Sequence, residues 1–201
     1  MESNVRNVLM CCVLVSALTG LTGCGGSKVV SRVDPAEQID LSGNWNDSDS
    51  RKVSEELIAD CLKHPWLERF SGTPTVIAGS IRNKSMEHIA VGTFVKDIER
   101  AMVNSGSVQV VASAEERGEV RAEREDQRIN ATPETLKEMG REVGADFMLI
   151  GEINQINDRE KGEEVKFYQV DLTLVNIETN VKAWLGQTKI KKFVSTRKYK
   201  P

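Results

Sequence analysis

Two histidines, His64 and His88, and four cysteines, Cys11, Cys12, Cys24 and Cys61, hold most of the reactive chemistry open to this chain of 201 residues. Nucleophilic hydrolysis needs a nucleophile, a base and an orienting group within reach of one another. His64 precedes Pro65 at what reads as the end of a helix, where a positive side chain complements the helix dipole. His88 follows Glu87 in what the apolar spacing marks as the exposed first turn of another helix. Neither is accompanied by a Ser-x-Gly elbow or a cysteine partner. Two isolated histidines and a cysteine make no metal-ligand spacing. Gly72 and Gly79 are not followed by Gly-Lys-Ser/Thr, so no phosphate-cradling loop is expected. Carboxylates are plentiful, and no pair stands apart from a solvated surface. The residues give no catalytic site, no cofactor site and no metal site, and the chain reads as a protein that is not an enzyme.

Cys24 is the exception, because its surroundings point to covalent lipid chemistry. It closes the tetrapeptide Leu21-Thr22-Gly23-Cys24, behind an apolar run from Val8 to Leu21 and a front end whose positive charges are Arg6 and the amino terminus. That is the plan of a bacterial secretory signal ending in a lipobox. The apolar run is shorter than the roughly 20 residues a membrane-crossing helix needs. The motif's resemblance to a lipobox implies cleavage between Gly23 and Cys24, an S-diacylglycerol on the thiol and an N-acyl group on the new amino terminus. Three acyl chains exceed the two signals that stable anchoring takes, each buried methylene being worth about 0.8 kcal/mol. Gly25 follows, and by analogy with enteric sorting the lack of Asp there points to the outer membrane, facing the periplasm.

Lipidation also settles the cysteine count. Cys11 and Cys12 leave with the signal and Cys24 is consumed, so Cys61 has no partner for an internal disulfide. It sits with Val53, Leu57, Ile58 and Leu62 at helical spacing and reads as a small core hydrophobe. With residues 1–23 removed, about 178 residues remain, enough for one domain with a proper core. A net charge of −3 excludes an electrostatic case for nucleic acid.

Residues 24–38 are small and polar and read as a lipidated tether, at most about 45–50 Å long at roughly 3.3–3.6 Å per residue. A single domain is expected over residues 39–195, followed by a basic tail at 196–201. Asn44 to Asp49 supply caps for a helix over 50–63, after which Trp66, Leu67 and Phe70 pack back irregularly. Thr75 to Ile81 predicts a buried strand. Met86, Ile89, Ala90, Phe94, Ile98, Ala101 and Met102 predict an amphipathic helix that Asn104-Ser105-Gly106 stops. A short strand over Val108 to Ala112 follows. Ser113 then caps a charged helix over 114–128, whose Glu119, Arg121, Glu123 and Glu125 mark a solvated face.

Thr132-Pro133-Glu134 opens a fourth helix, with Leu136, Met139 and Val143 as its apolar edge and Gly144 at its end. Ala145 to Ile153 is the strongest strand signal. Val165 to Ile177 alternates, with Tyr168, Val170, Leu172 and Leu174 on one face, and turns through Glu178-Thr179-Asn180 into a strand over 181–190. The order predicts an α/β, three-layer-like domain, with a small mixed sheet ending in an antiparallel hairpin and about four flanking helices. Lys189, Lys191, Lys192, Arg197, Lys198 and Lys200 make the chain's end basic; exposed lysines at a terminus are usually just solvated, and the alternative is a charge patch that steers encounters with a partner.

Four stretches carry a family pattern: Asp49 to Ile58, Val76 to Ser85, Val143 to Gly151 and Leu174 to Asn180. From about Leu41 to Phe193 the chain resembles the LpoB family of penicillin-binding protein activators. The resemblance implies a fold like the amino-terminal domain of TolB. It also implies an outer-membrane lipoprotein that binds a bifunctional (class A) penicillin-binding protein and stimulates its glycosyltransferase and transpeptidase activities. Enteric members carry a long Pro-rich segment between lipid and domain; here the stretch is short, with the one proline Pro35. The same fold type serves structural and assembly lipoproteins of envelope and secretion complexes, which is the alternative function.

Overall fold

The computed structural model describes residues 28–135, 137 and 142–195. Lys28 to Glu37 belong to a unit separate from the domain that starts at Gln38. Within the first unit Asp34 makes a small turn, its side chain accepting from the Ala36 N–H at 2.8 Å.

Helix α1 spans Asp47–Lys63 and starts three residues earlier than its apolar periodicity suggests. The reason is its cap. Asn46 accepts from the Asp49 N–H at 3.0 Å, and the Asp49 carboxylate takes the Asn46 N–H at 3.0 Å, a reciprocal capping box. Val53, Leu57, Ile58 and Cys61 form its buried stripe. Past His64 the chain folds back so that the Trp66 indole donates to the Cys61 carbonyl and its ring meets Phe147 edge-on, as expected for this segment.

Strand β1 is Thr75–Asn83. Helix α2, Val91–Ser105, buries Phe94, Ile98 and Met102 at four-residue intervals and ends at Gly106, whose φ of +66° is a left-handed cap. Met86 departs from the expected stripe: it precedes the helix and is 80% exposed. Strand β2 shrinks to Gln109–Val110. Helix α3, Ala114–Asn130, is capped by Ser113 and Glu116 and buries no residue, in keeping with its charged sequence. Its ion pairs differ in detail from the spacing: Arg121 reaches Glu142 at 2.7 Å, and Glu125 pairs with Arg128. Of the expected fourth helix, Thr132 to Thr135 form a turn and Val143 is exposed, while Leu136 and Met139 lie outside the described residues.

Strands β3 (Phe147–Glu160), β4 (Glu163–Asn176) and β5 (Lys182–Ser195) form a long antiparallel meander. The sheet order is β2-β1-β3-β4-β5, with β1 parallel to both neighbours. The sheet is therefore mixed with an antiparallel end, the expected α/β class. Helices α1 and α2 pack on each other and on the same sheet face, α1 over β5 and α2 over β1. Three helices stand among the described residues. Tyr168, Val170, Leu172 and Leu174 of β4 point into this core with Leu149, Ile153 and Trp184. The opposite face carries exposed side chains, among them Met148, Leu185 and Phe193. Gly151 sits where β3 and β4 approach so closely that a Cβ would meet the Asp171 carbonyl.

Candidate functional site

The residues singled out for chemistry do not assemble. His64 caps the end of α1, and His88 lies exposed in the loop between β1 and α2, not in the first turn of a helix. The loop accounts for the difference: no side chain caps Ala90, and α2 begins only at Val91. Cys61 has no exposed surface, and burial pushes its thiol up to about 12, so it is protonated at neutral pH. Thiol alkylation mapped by mass spectrometry should leave Cys61 unlabelled in the folded protein near neutral pH and label it in denaturant. Labelling at equal rates in both would contradict this placement. Among the described residues no group of His, Cys, Asp and Glu could hold a metal ion. Cys24 and the tail residues Arg197, Lys198 and Lys200 lie outside the described residues.

The most concentrated polar structure centres on Glu87, which the sequence offers only as a neighbour of His88. Its Oε1 accepts from Lys166 Nζ at 2.7 Å and from Gln155 Nε2 at 2.7 Å. Its Oε2 accepts from the Trp45 N–H at 3.0 Å. The Tyr168 hydroxyl lies 2.9 Å from both oxygens and 3.0 Å from the Gly43 carbonyl, and donates its one proton to one of them at a time. Glu87 and Lys166 side chains are 14% and 11% exposed, so the pair is largely shielded from water. Burial pushes the Glu87 carboxyl up. The hydrogen bonds from Lys166, Trp45, Tyr168 and Gln155 outweigh it and hold the carboxyl below its ordinary value. Burial first, and then the neighbouring Glu87, raise Tyr168, which stays a neutral donor.

A second cation repeats the theme one strand away. Lys192 Nζ contacts Asp49 at 2.6 Å, Asp40 at 3.1 Å and the Asn44 carbonyl at 3.1 Å. Lys166 also donates to the Asn44 side chain. Gly43 packs against Val194 and Lys166 with no room for a Cβ. Residues 40–46 are thus a strap, pinned across the inward side of β4 and β5 by Lys166, Tyr168, Lys192 and Glu87. The cluster has no nucleophile and no base free of a partner; it fixes backbone. One signal for it was present in the sequence, since Lys166 continues the inward alternation of Tyr168, Val170 and Leu172 and an inward lysine needs a carboxylate.

Outside the strap lies a hollow of about 620 Å³ along the outer edge of β5, lined by Asp40, Ser42, Lys52, Lys189, Lys191 and Phe193 among others. A smaller one of about 380 Å³ holds His64, Trp66, Phe70 and Lys182.

No curated protein sequence gives a significant match. Among solved structures, the LpoB C-terminal domain from Salmonella enterica is similar over 72% of this chain and 99% of its own, at 14% identity and a TM-score of 0.42. The LpoB C-terminal domain from Escherichia coli covers the same shares at 13% identity and 0.40. The NMR structure of E. coli LpoB is similar over 89% of this chain and 86% of its own, at 12% identity and 0.42. The family model described as "Peptidoglycan-synthase activator LpoB" matches residues 49–190, more than half of the chain, from the first turn of α1 well into β5. On that match the chain belongs to the LpoB family of peptidoglycan-synthase activators.

Proposed function

We propose that this protein is a non-catalytic, lipid-anchored activator that binds a class A penicillin-binding protein from the periplasmic side of the outer membrane. The family match over residues 49–190 carries the reading. The Leu-Thr-Gly-Cys motif at residues 21–24 supports the anchor, with lipid on Cys24 after cleavage behind Gly23. The strap sets the geometry of reach. Asp40 is held by Lys192, so the reach is counted from Cys24 to that residue. Fifteen residues or so then give the domain a working radius of at most about 50 Å from its membrane. The partner must present its docking surface within that distance.

Crosslinking in living cells, followed by identification of what is captured, tests the partner. The expected capture is a class A synthase, and it should disappear from the membrane fraction together with the protein when Cys24 is replaced by Ser. Capture of secretion-complex components alone, with ring-sized oligomers in detergent, would replace this reading with an assembly role.

A further inference from the structure

Among the described residues, the strand order leaves β5 paired on one side only, along Lys182–Ser195. A strand edge of that length presents a row of backbone N–H and C=O groups to whatever lies beside it. Over Lys189 to Ser195 that edge faces the hollow of about 620 Å³, whose other wall is made by Gln38, Asp40 to Gly43, Ser48, Asp49 and Lys52. The strap crosses the inward side of the strand, and among the described residues no strand or loop backbone bonds to its lateral edge.

Charge decides what such a slot accepts. β5 carries Lys182, Lys189, Lys191 and Lys192 and no acidic residue, and none occurs anywhere after Glu178. Lys192 is neutralised by Asp40 and Asp49. Lys52, Lys189 and Lys191 are exposed and make no ion pair among the described residues. The tail that follows adds Arg197, Lys198 and Lys200. Along the outward side, Lys189, Lys191 and Phe193 succeed one another at two-residue intervals, and Phe193 is 65% exposed. A second copy of β5 would set lysine against lysine, which cross-strand pairing disfavours. Edge lysines therefore keep copies apart, and they attract a strand of the opposite sign.

We propose that the outer edge of β5 from Lys189 to Ser195 receives an extended acidic segment of a protein partner as a sixth strand, with carboxylates opposite Lys189 and Lys191 and an apolar side chain against Phe193. Strand addition of this sort takes affinity from main-chain hydrogen bonds and specificity from alternate side chains. The proposal deepens the partner-binding reading and rests on it only for the identity of the partner.

The test uses the full chain in detergent and a short peptide of alternating Val and Glu as the probe. Hydrogen exchange should slow at amides within Lys189–Ser195 on adding the peptide, and affinity should fall with salt. The double variant Lys189→Glu/Lys191→Glu should bind it at least about tenfold more weakly, and should instead bind a Val-Lys peptide. Both lysines are exposed, so the variant's thermal melt should match the parent's. Equal binding by parent and variant, or exchange unchanged in β5 while the peptide is bound, overturns the proposal. So does slowing of β5 by vesicles of anionic phospholipid but not by the peptide. If the parent activates a class A synthase and the double variant does so equally, the edge is not the docking site and the activator reading stands. If the peptide results hold and no synthase responds to the parent, the activator reading fails and the edge site stands.

Discussion

Replacing Glu87 with alanine should destabilise the domain by about 3 kcal/mol, the loss expected when one partner of a shielded ion pair is removed and the other stays buried. Lys166 would keep its position with only the Asn44 side chain as acceptor, and the Trp45 N–H and Gln155 amide would lose theirs. The double variant Glu87→Ala/Lys166→Met should recover much of that loss, because an apolar pair of similar volume leaves no buried charge. Urea unfolding of the three proteins checks this, and equal midpoints for the parent and Glu87→Ala would contradict it. The same site sets a pH dependence. The folded-state carboxyl lies below its ordinary value of 4.5, so its contribution is complete above that value and is lost as the pH falls through the lower folded value. Glu87→Gln should flatten this acid limb while leaving a weaker protein at neutral pH. An unchanged acid limb would show that Glu87 is not the group responsible.

Trp184→Ala should cost a comparable amount, about 3–5 kcal/mol, by cavity formation and lost burial. The indole is 2% exposed, and its N–H donates to Asp60 of α1 at 2.8 Å, so it fastens α1 to the edge strand. Gly186 exists to make room for it, since a Cβ there would run into the Trp184 ring and toward Leu57. Gly186→Ala should therefore weaken the same contact from the other side, by about 1–3 kcal/mol of overpacking. Hydrogen exchange should report the loss first in β5 and the end of α1. Uniform loosening of the whole sheet would argue that the contact is not local.

How much of this was legible in the chain varies with the range of the interaction. Asn46, Ser113 and Gly106 mark helix ends through bonds within three residues, so their types suffice. The inward row of β4 was readable for the same reason, since strand alternation is local. The β3–β4 hairpin was hidden by its turn. Lys161 and Gly162 both take positive φ, 48° and 89°, and lysine in the first of these positions disguises a loop usually written Asn-Gly. Helical intervals between Met86, Ile89 and Ala90 disguise the loop around His88 as helix. What fixes that loop is the Asn83 side chain donating to the Glu87 carbonyl, together with Glu87 reaching Lys166, 79 residues away. Contacts at that separation depend on register, and register is decided by the whole sheet. β5 runs five residues past the strand expected over 181–190, because its lysines alternate with residues whose burial only the strap and α1 create.

As proposed, the protein raises the output of a peptidoglycan synthase without doing chemistry itself. The rate of glycan-strand synthesis by each purified class A synthase of the same cell, measured with increasing amounts of the full chain in detergent, tests it most directly. One synthase is expected to accelerate to a saturating plateau, and the protein alone to form no product. Unchanged rates for every class A synthase, with the added protein shown to be folded, would contradict it.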